Sequence, residues 1–298
     1  MVARFVRDEE VVGSNPATPT VGRGLTRVGP RPSVQEAKVD VPDRRPAREE
    51  LGPVTAAYVD RVSWRSVNLH THISLVNGYV YIEVPKAGCG TMKSTLGGME
   101  AARMGPAMVT RVQDAPHDRM AATPFVKPFQ LSPAKLEDAL AGPNFQRFTV
   151  VREPASRLLS GYLEKIRQGL KQSEPIVEAL QRKNKGLVAQ DITLAQFLDV
   201  VCGQKSADQD PHWRRQVDQV GFGAIPFDAV IHLEDLDRSW GRIGELTSTP
   251  GLKENFFCKF STGAGSKIAD YYDTAMLAQV AKAYAPDYEA FGYSVPAL

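Results

Sequence analysis

The sequence predicts an α/β fold with a central sheet and helices packed on both of its faces, and three observations carry that prediction. Two segments, Tyr79 to Leu96 and Arg147 to Ile166, follow one plan: a β-branched or aromatic run, a short loop, then apolar residues at helical spacing. Strands that feed helices in this way imply a parallel sheet, because parallel neighbours need a crossover connection. The third observation is that the alternation continues downstream with no internal repeat, which places ligands beyond the C-terminal edge of the strands.

Taken in order, residues 1 to 56 hold Pro16, Pro19, Pro30, Pro32, Pro42, Pro46 and Pro53, mixed charges and no periodic apolar run. That composition predicts a disordered segment, leaving 57 to 298 as the folded domain. Gly13-Ser14-Asn15-Pro16 is also the translation of GGT TCG AAT CC, the T-arm sequence typical of bacterial tRNA genes, so the first twenty or so residues are expected to be an upstream extension of the reading frame. Order is expected from Tyr58. His72 to Val76 and Tyr79 to Val84 read as a hairpin closed by Asn77-Gly78, whose residue types suit the positive φ angles of a type I′ turn. A helix follows from near Thr91. Arg147 to Val151 is a strand, and Pro154 suits the first turn of a helix carrying Leu158, Leu159, Tyr162 and Ile166 on one face. Thr193 to Val201 reads as a helix, Asp228 to His232 as a strand, Leu236 to Leu246 as a helix and Ala269 to Ala283 as the closing helix.

Composition excludes several function classes. The 298 residues contain no run approaching the roughly 20 apolar residues of a membrane span, and no secretory signal opens the chain. Cys89, Cys202 and Cys258 lack the spacing of a zinc site or a disulfide framework and suit a reducing cytoplasm. Net charge is +2, and residues 67 to 298 hold 25 basic and 25 acidic side chains, which argues against a general nucleic-acid binder.

The most informative stretch is VPKAGCGTMKSTL, Val84 to Leu96. Gly88 and Gly90 allow the backbone to turn successive N–H groups onto an anion, and the helix that follows adds its positive end. Thr91, Ser94 and Thr95 offer hydroxyls, and Lys86 and Lys93 offer full charges. A Walker A loop would need glycine at 87 and 92, where Ala87 and Met92 stand, and its lysine would follow the glycines rather than precede them as Lys86 does. In the second unit Arg152 leaves a strand end with a planar fork suited to a bidentate phosphate contact, and Ser160 lies two helical turns on.

These two stretches resemble the PAPS-dependent sulfotransferases, specifically the family that includes carbohydrate sulfotransferases of the chondroitin 4-O and HNK-1 type. Val84-Pro85-Lys86 with Cys89, Thr91 and Lys93 is similar to the family's 5′-phosphosulfate loop, and FTVVREPASRLLSGYLEKI, Phe148 to Ile166, to its 3′-phosphate segment. Asp210-Pro211-His212-Trp213 with Gln216, Phe227 to Glu234, and Tyr284 to Tyr293 resemble weaker family features, so the likeness spans about 76 to 294. It implies a P-loop-like three-layer fold, with a central parallel sheet flanked by helices. It also implies PAPS (3′-phosphoadenosine 5′-phosphosulfate) as sulfonate donor, no metal, and a carbohydrate or other hydroxyl-bearing acceptor. Lys86 is then assigned to the leaving oxygen, Gly88, Cys89, Gly90, Thr91 and Lys93 to the 5′-phosphate, and Arg152 with Ser160 to the 3′-phosphate. Transfer needs a base for the acceptor hydroxyl. His117, in a polar loop between the two motifs, is the first candidate and His212 the second, with Glu83, Glu153 and Glu234 behind them; His232 sits in an apolar strand, and His70 and His72 precede the hairpin. A P-loop nucleotide kinase, set apart by magnesium dependence, and a non-catalytic nucleotide- or sugar-binding protein are the rival readings.

Overall fold

The computed structural model describes residues 45–118, 123–182, 185–252 and 263–298; most of the segment expected to be disordered, and Cys258, lie outside them. The first helix, α1 (Pro53–Val62), begins upstream of the boundary expected at residue 57, because Glu137 accepts hydrogen bonds from the Val54 and Thr55 amides, both at 2.9 Å, and ties its first turn down. Then follow α2 (Trp64–His70), β1 (Thr71–Ser74), β2 (Tyr79–Ile82), α3 (Cys89–Ala101), α4 (Pro106–Asp114), α5 (Pro133–Ala141), β3 (Gln146–Val151) and α6 (Pro154–Gly161). The remainder is α7 (Glu174–Gln181), α8 (Leu194–Gly203), α9 (Gln216–Gln219), β4 (Ala229–His232), α10 (Leu236–Leu246), α11 (Ile268–Tyr271), α12 (Thr274–Ala283) and α13 (Ala285–Phe291).

The strands form one four-stranded sheet in the order β1-β2-β3-β4. β2, β3 and β4 are parallel, with Ile82 beside Thr149 and Val151 beside His232, whereas β1 runs antiparallel to β2. The sheet is therefore mixed, not parallel throughout, because the hairpin adds its first strand at the edge. That edge is covered by an antiparallel bridge from Val126 to Ile73.

Side-chain alternation sorts the sheet's two faces. Val80, Ile82 and Val151 pack with Tyr58, Val59, Leu136 and Leu140 of α1 and α5. Tyr79, Tyr81, Phe148 and Val150 pack on the other side with Met92, Leu96, Trp240 and Ile243 of α3 and α10. A third apolar cluster holds no strand residue: Leu158, Leu159, Phe197, Leu198, Trp213, Leu277 and Val280 join α6, α8, α12 and the loop before α9.

Two local expectations are corrected. The hairpin turn spans four residues, Leu75 to Gly78, with only Gly78 in the left-handed region (φ 64°). Asn77 instead donates to Glu100 at 2.6 Å and accepts from Arg103 at 3.0 Å, fastening the turn to α3. The expected closing helix is broken at Asp273, whose carboxylate caps α12 by accepting from the Met276 amide at 2.7 Å, and α13 closes the fold.

Candidate active site

The strand-to-helix connections after β2 and β3 lie side by side because those strands are parallel neighbours. After β2 the chain turns sharply: Lys86 and Gly88 both have φ of 72°, the left-handed region that a lysine occupies at a cost of roughly 1–2 kcal/mol. α3 starts at Cys89 with no side chain capping it, so the first N–H groups, which no helix can satisfy internally, face outward from the loop. Gly88, Gly90 and Thr91 are part-exposed there and the Lys86 side chain is 10% exposed, while Cys89, Lys93, Ser94 and Thr95 are buried. Backbone amides, a hydroxyl and an ammonium thus share one open rim, which suits an anion.

Arg152 reaches this rim from the end of β3, and its Nη1 donates to the carbonyl of Lys86 at 3.1 Å. Its backbone is locked by Gln216, whose amide accepts from the Arg152 N–H at 2.9 Å and donates to its carbonyl at 2.7 Å. Glu153 does not pair with this guanidinium. It caps α6, accepting from the Ala155 amide at 2.8 Å and the Ser156 amide at 2.6 Å, and it takes the Tyr288 hydroxyl at 2.7 Å. Ser160 is placed two turns into α6, only 2% exposed.

Beneath the loop lies a buried polar chain that residue types alone did not reveal. Lys127 donates to Nδ1 of His72 at 3.0 Å, so the other ring nitrogen of His72 carries the proton and donates to Glu83 at 2.8 Å. Burial keeps His72 neutral by driving its pKa well below the ordinary value, with the Lys127 charge adding to the effect. Glu83 is held well below the ordinary carboxylate range by Lys93, whose ammonium lies 2.9 Å away, and by His72 and His70, the latter with Nδ1 3.8 Å from the carboxylate, which together outweigh burial. Lys93 also stands 2.9 Å from Nδ1 of His117. An ammonium only donates, so Nδ1 accepts and His117 presents an N–H, not a lone pair, from Nε2. That nitrogen overhangs the loop: a Cβ added to Gly90 would stand 3.7 Å from it. Glu83, Cys89 and His117 bring ligand atoms within 4.8 Å of one another, and the Lys93 ammonium lies 2.9 Å from both Glu83 and Nδ1 of His117. The Cys89 thiol is pushed up to about 11, chiefly by burial.

The second candidate base, His212, sits in the loop before α9. Nδ1 of His212 lies 2.6 Å from Asp210, which also accepts the His212 backbone N–H at 2.9 Å, so Nε2 retains its lone pair. This loop is joined to the anion rim by Arg157, which is 1% exposed and donates to the carbonyls of Pro85 at 3.0 Å, Pro211 at 2.8 Å and Arg214 at 2.7 Å. Burial lowers its guanidinium to about 10. Lys86 is ion-paired with Glu164, which also takes Lys165 at 2.6 Å; despite partial burial, these two lysines hold the Glu164 carboxyl down to about 2. Glu164 arrives there because the helix widens into a π-helical turn over Tyr162–Ile166, with Arg167 donating to the Tyr162 carbonyl at 3.0 Å.

The structure therefore gathers Lys86, Gly88, Gly90, Thr91, Arg152 and His117 at one rim, turns Lys93 inward, and sets His212 on an adjoining loop. His232 stacks on Tyr293 with ring centroids 4.5 Å apart, and Tyr162 is core-packed with its hydroxyl on the Ile192 carbonyl at 2.8 Å. Glu83, Glu164 and Asp210 are the polar partners that sequence reasoning gave no such place. Lys93 carried a readable signal, since it shares a helical face with Cys89 and Leu96, four residues before it and three after.

Comparison with known proteins yields one match. The sequence profile described as the Sulfotransferase family aligns with residues 70–294, from the end of α2 to just beyond α13. No curated protein and no solved structure matches the chain. The matched span contains both strand-to-helix connections, the buried Glu83 chain and the Asp210–His212 pair, and it covers well over half of the sequence: the chain belongs to the sulfotransferase family.

Proposed function

We propose that the protein is a PAPS-dependent sulfotransferase, with a P-loop-like fold and a cytoplasmic location, that moves the sulfonate of PAPS to a hydroxyl of a carbohydrate or glycoconjugate acceptor. The observation that carries this reading is the meeting of the two phosphate motifs at the Arg152 to Lys86 carbonyl contact of 3.1 Å. It sets an uncapped helix start and a guanidinium side by side, as a nucleotide bearing phosphates at both ends requires.

In the reaction the sulfur–oxygen bond to the 5′-phosphate breaks as a bond to the acceptor oxygen forms, and negative charge gathers on the leaving phosphate. Lys86 and the amides of Gly88 to Thr91 stabilise that charge, and the Nε2–H of His117 adds a donor above the loop. Lys93 acts from below, holding His117 in the donor tautomer. Arg152 takes the 3′-phosphate, with Ser160 behind it. The base is assigned to His212: Asp210 fixes its proton on Nδ1 and leaves Nε2 to accept the acceptor's proton. Glu164, held near 2, is too weak a base for this at neutral pH. The chemistry needs no metal.

Calorimetric titration of the full chain with PAP, ATP and ADP, with and without magnesium, tests the reading. Expected are magnesium-independent PAP binding, weaker ATP binding, and a loss of PAP affinity of about ten- to a hundredfold in Lys86→Ala and Arg152→Ala, since each removes a charge-assisted contact of roughly 1.5–3 kcal/mol. Preference for magnesium–ATP would replace the reading with a nucleotide kinase.

A further inference from the structure

Arg152 is the first residue beyond β3, whose last paired residue, Val151, stands opposite His232 of β4. Its main chain nevertheless keeps a sheet-like pairing. The side-chain amide of Gln216 accepts from the Arg152 N–H at 2.9 Å and donates to the Arg152 carbonyl at 2.7 Å, the two-bond exchange that a neighbouring strand would supply. Those partners, one donor and one acceptor, also fix which way round the amide lies. The pairing matters because the side chain does little to aim itself: among the described residues the guanidinium's one hydrogen-bond partner is the Lys86 carbonyl at 3.1 Å. A side chain moves between staggered rotamers about a Cα–Cβ bond whose direction the main chain sets, so a held main chain decides which rotamers reach the rim.

Gln216 is itself held from the far end of the chain. It opens α9, and Asp287 of α13 accepts its N–H at 2.8 Å and that of Val217 at 3.0 Å, one on each carboxylate oxygen. Two more bonds tie the same stretch to the same region: the Tyr284 hydroxyl donates to the Trp213 carbonyl at 2.6 Å, and Nε of Arg215 to the Ala283 carbonyl at 2.9 Å. Gln216 and Asp287 are both 0% exposed. A carboxylate in such a place is a poor stabiliser, since burial raises Asp287 to about 6 and its ionised form therefore weakens the fold at neutral pH. A helix of four residues, Gln216–Gln219, also gains little from a buried cap, because so short a helix carries almost no stability of its own. What the cap does place is the Gln216 side chain, and through it Arg152.

We propose that Gln216 and Asp287 are positioning residues for a 3′-phosphate: Asp287 fixes the start of α9, Gln216 fixes the main chain of Arg152, and the guanidinium is thereby aimed at the anion. The inference rests on the sulfotransferase reading for the ligand of Arg152, and goes beyond it in making preference for a 3′-phosphorylated nucleotide depend on α13. The test is calorimetric titration of the full chain with PAP and with AMP, which lacks the 3′-phosphate. The wild type should prefer PAP by about ten- to a hundredfold, and Arg152→Ala should lose that preference. Gln216→Met, which keeps the side chain's length and removes both bonds, should lower PAP affinity by about tenfold and leave AMP affinity within about twofold. Added to Arg152→Ala it should cost PAP nothing further, because Gln216 acts through Arg152. Asp287→Asn, which sets an amide group against one of the two N–H donors, should shift the PAP-to-AMP ratio the same way by about threefold. That milder variant decides the matter if Gln216→Met does not fold. Equal losses of PAP and AMP would make the clamp structural only and overturn the inference. A preference for PAP that Arg152→Ala abolishes, but that the Gln216 and Asp287 variants keep in full, overturns the inference alone. A wild type that binds PAP and AMP alike takes the 3′-phosphate away from Arg152 and overturns the donor reading with it.

Discussion

The connections after β2 and after β3 have the same plan and treat the start of the helix that follows in opposite ways. The first gives α3 a bare start: Gly88, with φ of 72°, precedes it and no side chain touches its leading amides. The second closes α6 with Glu153, which accepts from two of the helix's own amides. A helix whose N-terminus is filled by an internal carboxylate has no electrostatic room for another anion. In the proposed reading the first motif therefore binds with backbone and the second with the Arg152 side chain, and sequence likeness between two strand-loop-helix units does not make them equivalent.

Substitutions at three positions probe that contrast. The largest effect is expected from Gly88→Ala, which imposes about 1–2 kcal/mol of left-handed strain. It also sets a methyl group 2.7 Å from Leu233 Cδ1. Thermal unfolding should show the destabilisation and PAP titration a loss of about tenfold or more, and wild-type affinity would mean that the bare helix start is not used. Next is Glu153→Ala, which should cost about 1–2 kcal/mol in chemical denaturation by uncapping α6. Glu153→Gln, keeping one acceptor oxygen, should lose less; a loss equal to that of Ala would make the carboxylate's charge, not its capping, the active feature.

The smallest effect is expected from Glu164→Gln, because a half-exposed ion pair is worth at most about 1 kcal/mol. Freeing Lys86 should tighten PAP binding by up to about fivefold at neutral pH. The same variant has a pH signature. The Glu164 carboxyl falls from its ordinary 4.5 to about 2 in the folded chain, so its contribution is fully present above pH 4.5 and is lost as pH falls from there towards 2. Asp287 works in the opposite sense: burial raises it from 3.8 to about 6, and its contribution is lost as pH rises through that range. Urea midpoints measured from pH 6 to pH 3 should show the wild type losing its advantage over Glu164→Gln only below pH 4.5. An unchanged gap at pH 3 would mean that Lys86 and Lys165 do not stabilise the ionised carboxylate.

Much of the scaffold could be read from pattern. β3 and β4 and the boundaries of α10 follow from β-branched runs and 3.6-residue periodicity, and Pro154 marks the start of α6 as expected. The errors arise where a single polar side chain overrides a local preference: Asp273 stops a helix that its neighbours would continue, and Asn77 leaves its turn to bond Glu100. At the candidate site, the placing of Lys86, Gly88 and Arg152 at neighbouring strand ends was legible because it is tied to adjacent residues along the chain. The tautomer of His117 was not, since it depends on Lys93, itself set by Glu83, and that chain of bonds extends through His72 to Lys127. The Lys86–Glu164 pair was hidden for a different reason, because a π-helical turn shifts Glu164 from the position that a regular helix would give it.

Arg157 has a consequence for how such a protein can diversify. One buried guanidinium grips carbonyl oxygens from the donor loop and from both sides of Trp213, so it acts as a rivet through which the two working parts share a fixed geometry. It touches only main chain, and is therefore indifferent to which side chains those loops carry. Mutation can rewrite the side chains between Gln204 and Asp210 without moving the turn that follows β2. An engineer who varies those side chains should leave the rivet alone.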